Sequence, residues 1–146
     1  MTSEITNWLE SHCFSADGSV KENHTGVPPL ILACRQARHD IVDFLLAQNT
    51  PLDALDQYGN NALWAACYSE DSKCIAALIK AGIDINYQNT ASGATALIFA
   101  ASSGREQVVR QLLDAGADAA LNTHDDFTAL DLASTRKILN LLKSKS

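Results

Sequence analysis

The chain repeats itself. Four segments superpose, Gly26 to Cys34, Gly59 to Cys67, Gly93 to Ala101 and Asp126 to Ser134. Their leucines, Leu30, Leu63, Leu97 and Leu130, stand 33, 34 and 33 residues apart. The alanines Ala33, Ala66, Ala100 and Ala133 keep the same intervals. A second apolar block follows in step: Ile41, Val42, Leu45 and Leu46, then Cys74, Ile75, Leu78 and Ile79, then Val108, Val109, Leu112 and Leu113. A period of this length constrains the fold more than any local motif. A unit so short cannot bury its own apolar face and must lean on the next one.

Each unit reads as a turn, a short helix, a second helix and a loop. In the first helix Leu, Ala and a small residue fall at i, i+3 and i+4, on one face. The small residues keep that face thin, so a neighbouring helix can approach. The second helix has apolar residues at i, i+1, i+4 and i+5, a broader face suited to being sandwiched. Thr95, Thr128 and Asn61 precede the first helices of three units, where a side-chain oxygen accepts from free helical N–H groups. Thr128 is followed by Asp131 at capping-box spacing. The first unit has Pro28 and Pro29 there, compatible with a first helical turn but lacking a capping oxygen. Gly82, Gly116 and Asn49 suit the left-handed residue that ends a second helix.

Composition excludes several classes. With 146 residues, 47% hydrophobic and 19% charged, the chain has the means to pack a core. A net charge of −6 does not fit a generally cationic, phosphate-binding protein, so nucleic acid is not an expected partner. No apolar run is long enough to span a membrane and no secretory signal is read at the start, so a cytoplasmic protein is expected. Cys13, Cys34, Cys67 and Cys74 show no C-x-x-C pairing and are expected as reduced core thiols. His12, His24, His39 and His124 lack metal-site spacing, and no phosphate-binding glycine loop is present. No cofactor, metal or catalytic residue is expected.

The repeated pattern resembles the ankyrin repeat family. The stretch from Gly93 to Asp118 matches it nearly throughout, with Gly104, Val108-Val109, Leu112-Leu113 and Ala115-Gly116-Ala117 in place, and Asn86 matches the loop asparagine. The resemblance implies an all-α solenoid of stacked helix-turn-helix units with short hairpin-like loops. Residues 1–22 are expected as an N-terminal capping helix and loop, with Ile5, Trp8, Leu9 and Cys13 on one face. Residues 23–55, 56–89 and 90–122 are three repeats, and 123–146 a truncated C-terminal capping repeat. The family's helix-start histidine is replaced by Ile31, Trp64, Ile98 and Asp131. Packing is therefore expected to substitute for its hydrogen bonds, with Trp64 lodged between repeats. One extra residue falls near Asn89.

The resemblance also implies a partner-binding concave face, built from hairpin tips and the solvent side of the first helices. It assigns partner contact to Arg35, Gln36, Gln57, Tyr58, Asn60, Tyr68, Ser69, Ser92, Ser102, Ser103, His124, Asp125 and Phe127. Val27, Ala91 and Ala94 sit beside the turns, and His24 and Thr25 at the first tip. Tyr58 and Tyr68 are the aromatic anchors, since tyrosine gives large contact area at low entropy cost. Asp56, Asp125 and Asp126 suggest an acidic tip row facing a basic partner surface. The leading expectation is a monomeric, non-catalytic adaptor or inhibitor that binds a protein. The alternative is an assembly subunit that associates through its end caps. A thiol enzyme or sensor is a third reading.

Overall fold

In the computed structural model, which describes residues 3–12, 14 and 27–145, local capping chemistry sets where helices begin. α1 spans Ser3–Ser11, α2 Pro29–Arg35, α3 His39–Ala47, α4 Ala62–Ser69, α5 Ser72–Ala81, α6 Ala96–Ser102, α7 Glu106–Asp114, α8 Ala129–Leu132 and α9 Arg136–Lys145. The Asn61 side chain accepts from the Trp64 amide, Thr95 from Ile98, and Thr128 from Asp131 in a reciprocal capping box. Pro28 caps α2 without a side-chain bond. Gly82, Gly116 and Asn49 have φ of 96°, 94° and 58°, the left-handed stops read from the sequence.

The chain divides into two compact units, Met1–Ile83 and Asp84–Ser146. In the first, α2 packs on α3 and α4 on α5, and the hairpins lie side by side, α2 on α4 and α3 on α5. Leu30, Ile41, Leu45, Leu63, Ile75 and Leu78 fill the core between them. Ala33, Ala66 and the buried thiols Cys34, Cys67 and Cys74 are the thin spacers. Ile5, Trp8 and Leu9 bury the inner face of α1, whose Trp8 indole N–H donates to the Gln36 amide oxygen at 2.7 Å. Phe14 is fully buried and stacks near Trp8, with ring centroids 5.8 Å apart. Cys13, the expected loop at 15–25 and His24 lie outside the described residues.

The second unit repeats the arrangement with α6 on α7, α8 on α9, α6 on α8 and α7 on α9. Leu97, Val109, Leu112, Ile138 and Leu142 form its core. No residue of the described set is in a strand; an isolated antiparallel bridge pairs Asn122 with Thr128 across a tip. Hence the fold class is all-α, as the period requires.

Packing does not act alone in joining repeats. Within the first unit the Ser69 hydroxyl donates to the Cys34 carbonyl at 2.8 Å. Within the second, the Ser134 hydroxyl and amide both donate to the Ala101 carbonyl at 3.1 Å. The Asn86 side chain accepts from the Asp118 amide at 2.8 Å. Short serines thus supply part of what the absent histidines would give.

Candidate protein-binding surface

The tip that opens the second repeat is built on one carboxylate. One Asp56 oxygen accepts from the amides of Tyr58 at 2.9 Å and Asn60 at 3.0 Å, an Asx-type turn closed by Gly59 at φ 81°. The other accepts from the Arg35 guanidinium at 3.2 Å. The Asp56 side chain is only 6% exposed. It therefore leaves the acidic tip row read from the sequence, in which Asp125 and Asp126 remain exposed. What Asp56 does is fix the backbone of Tyr58, 66% exposed, in the tip that precedes α4.

Along α4 the core takes Ala62, Leu63, Ala65, Ala66 and Cys67. Only Trp64 and Ser69, half-buried, and Tyr68, 60% exposed, stay in reach of solvent. Trp64 and Tyr68 are four residues apart and share a helix face. Tyr58, Trp64 and Tyr68 thus follow one another from the tip to the far end of α4.

The remaining sequence-predicted contacts fall into two groups. Gln57, Asn60, Ser92, Ser102, Ser103, His124, Asp125 and Phe127 lie on tips or helix ends, all exposed except the half-buried Asn60. Several already bond to their own unit. Ser92 accepts the His124 amide at 2.9 Å through its carbonyl, and the His124 ring meets the Thr90 carbonyl at 3.0 Å, so these tips brace each other. Ser103 bonds the Phe99 carbonyl at 2.7 Å. The other group has structural partners: Arg35 with Asp56, Gln36 with Trp8, and Ser69 with Cys34. The Asn89 side chain, buried at the corner with the extra residue, accepts from the amides of Ala91 and Ser92.

The tyrosines are legible in the sequence, but the support that Asp56 gives Tyr58 is not among the expectations. The Asp-x-x-Gly spacing before Asn60 was the available signal. Trp64, expected between repeats, is half-buried with its indole nitrogen inside, and it stands one helical turn from Tyr68.

Electrostatic perturbations serve structure. The hydrogen bond to Cys74 and then burial push the Cys34 thiol up, which keeps it protonated and unreactive. The Arg38 guanidinium bonds both Asp40 oxygens, at 3.1 and 2.9 Å, and holds that carboxyl below its ordinary value. Among the described residues no group of three or more His, Cys, Asp or Glu is placed to hold a metal ion. No helix among them is long and apolar enough to cross a membrane.

Comparison with known proteins agrees with this architecture. The family model described as "Ankyrin repeats (3 copies)" matches residues 3–89 and 85–145. The B-cell lymphoma 3 protein homolog of Mus musculus is 31% identical over 126 residues, covering 85% of this chain and 28% of that protein. Ankyrin repeat and SOCS box protein 3 of Homo sapiens is 34% identical over 101 residues, covering 68% and 20%. Protein PhlB of Serratia liquefaciens is 37% identical over 95 residues, covering 65% and 42%. The chain thus spans less than half the length of each of these relatives. Among solved structures, the ankyrin repeat domain of Bcl-3, described as a unique member of the IkappaB protein family, superposes with a TM-score of 0.76 at 26% identity, covering 86% of this chain and 58% of that one. This chain belongs to the ankyrin repeat family.

Proposed function

We propose that the chain is a non-catalytic protein-binding module, monomeric and cytoplasmic, that captures a partner protein on the concave face of its repeats. The anchors are Tyr58 and Tyr68, with Gln57 and Asn60 beside them. Arg35, Gln36 and Ser69 are further contacts of the first unit; taken by itself, the second unit offers Ser92, Ser102, Ser103, His124, Asp125 and Phe127.

One observation carries the reading. The exposed large hydrophobic side chains of the described residues are Leu55, Tyr58, Tyr68 and Phe127. They lie in tip segments or on the open face of α4, and none belongs to α1 or α9. A subunit that assembled through its caps needs apolar surface at those terminal helices, so this distribution favours the face over the ends.

Photo-crosslinking tests it. A benzophenone amino acid at position 68 is expected to capture a partner protein that the same group at exposed Lys80 does not. The purified partner should bind the Tyr58→Ala, Tyr68→Ala double variant about a hundredfold more weakly, as for loss of two aromatic anchors. Equal affinity for the double variant removes the proposed face.

A further inference from the structure

We propose that the Tyr58–Trp64–Tyr68 path of the first unit takes an arginine-bearing extended peptide segment; this deepens, and rests on, the protein-binding reading. The geometry suits such a segment. Between Ala62, where the tip joins α4, and Tyr68 the helix rises about 9 Å. That is the reach of roughly three extended residues. Tyr68, largely exposed, and the exposed part of half-buried Trp64 one turn before it therefore meet neighbouring positions of one short strand of partner chain, with Tyr58 on the tip that precedes them.

The chemistry selects a cation. Ring faces are electron-rich, and tryptophan and tyrosine attract a guanidinium best. The unit that bears these aromatic residues is acidic. Residues 1–83 carry five Lys or Arg against ten Asp or Glu, whereas residues 84–146 carry six against seven. Most of the net charge of −6 therefore sits in the unit that bears the aromatic path. Arg35 and Arg38 are engaged by Asp56 and Asp40. Asp53, five residues before Tyr58, and Glu70, two after Tyr68, are exposed. Arginine fits better than lysine, because its planar fork stacks on a ring while donating to a carboxylate.

The combination belongs to one repeat. In the same register the third repeat has Ser92, Ile98, Ser102 and Gly104 where the second has Tyr58, Trp64, Tyr68 and Glu70. Glu70 adopts φ 57°, a left-handed conformation that Gly104 takes at 78° without a side-chain penalty. A carboxylate is thus present where the fold alone favours glycine.

The test titrates the full chain into a fluorescein-labelled twelve-residue peptide bearing four arginines spaced by Gly-Ser. Versions with lysine or citrulline replacing arginine are run beside it. The arginine peptide is expected to bind, the lysine version about threefold more weakly, and the neutral citrulline version not measurably. Tyr58→Ala with Tyr68→Ala should weaken arginine binding about tenfold and abolish the preference over lysine. Glu70→Gly should weaken it about threefold without lowering thermal stability. No binding of the arginine peptide, equal binding of the arginine and lysine versions, or equal affinity for wild type and double variant overturns the proposal. Should the double variant lose its helical circular dichroism, amide NMR on the wild-type chain decides. Peptide-induced shifts centred on 57–60 and 64–70 support the proposal, and shifts confined elsewhere overturn it. If the arginine peptide fails while the photo-crosslinker at position 68 still captures a partner, the protein-binding reading stands and this inference alone falls.

Discussion

Replacing Asp56 by Ala removes three bonds at once: those from the Tyr58 and Asn60 amides and that from the Arg35 guanidinium. The expected cost is about 2 kcal/mol, the range for losing a buried charged acceptor, read from urea unfolding. Asp56→Asn keeps an oxygen for the amides and should cost about half as much. Equal stability of the Ala variant and wild type would refute the tip's construction. Asp40 gives a pH signature. Its folded-state carboxyl is held below the ordinary value of 3.8 by Arg38. Its contribution is therefore complete above pH ~4 and lost as pH falls through the lower folded value. Because the side chain is 41% exposed, solvent screening leaves only a few tenths of a kcal/mol. Asp40→Asn should flatten the acid limb of stability by that amount, measured by unfolding between pH 2 and 5. At this scale Asp56 was legible as a tip carboxylate. That Asp56 is buried by an arginine 21 residues away was not, because that depends on how two repeats meet.

At the scale of elements, the caps of the first helices and the stops of the second follow from bonds spanning three or four residues, so these were legible, whereas the Asp71 cap that opens α5 was not read. Asn61, Thr95 and Thr128 each cap as their spacing implied. The brace between tips was not legible. Gly93 lies at φ 77°, and a Cβ there would stand 2.8 Å from the backbone nitrogen of His124. The His124 amide in turn bonds the Ser92 carbonyl. Gly93→Ala therefore meets both a left-handed backbone and fixed main chain. The expected destabilisation is about 2 to 3 kcal/mol, read from the thermal midpoint. An unchanged midpoint would mean the brace is not close-packed. Turn chemistry alone marked Gly93 as a glycine position; the neighbour 31 residues away made it a packing position as well.

At the scale of the whole molecule, repeats share stability with their neighbours rather than holding it singly. Leu63 is 1% exposed in α4, which packs on both α2 and α5. Leu63→Ala is expected to cost about 3 kcal/mol, and hydrogen exchange should quicken through α2, α3, α5 and α4 together. Quickening restricted to α4 would show that the unit is not cooperative. By itself the sequence determined the helical pairs, the caps of the first helices, the thin faces and the family. All of these are written in spacings that a chain carries whatever its neighbours do. Tertiary structure alone decided that Arg35, Gln36 and Ser69 are tied to Asp56, Trp8 and Cys34, and that Trp64 is half-buried with its indole nitrogen inside. Those outcomes depend on which groups from distant repeats arrive at the same place, and burial there is set by packing geometry rather than by residue type.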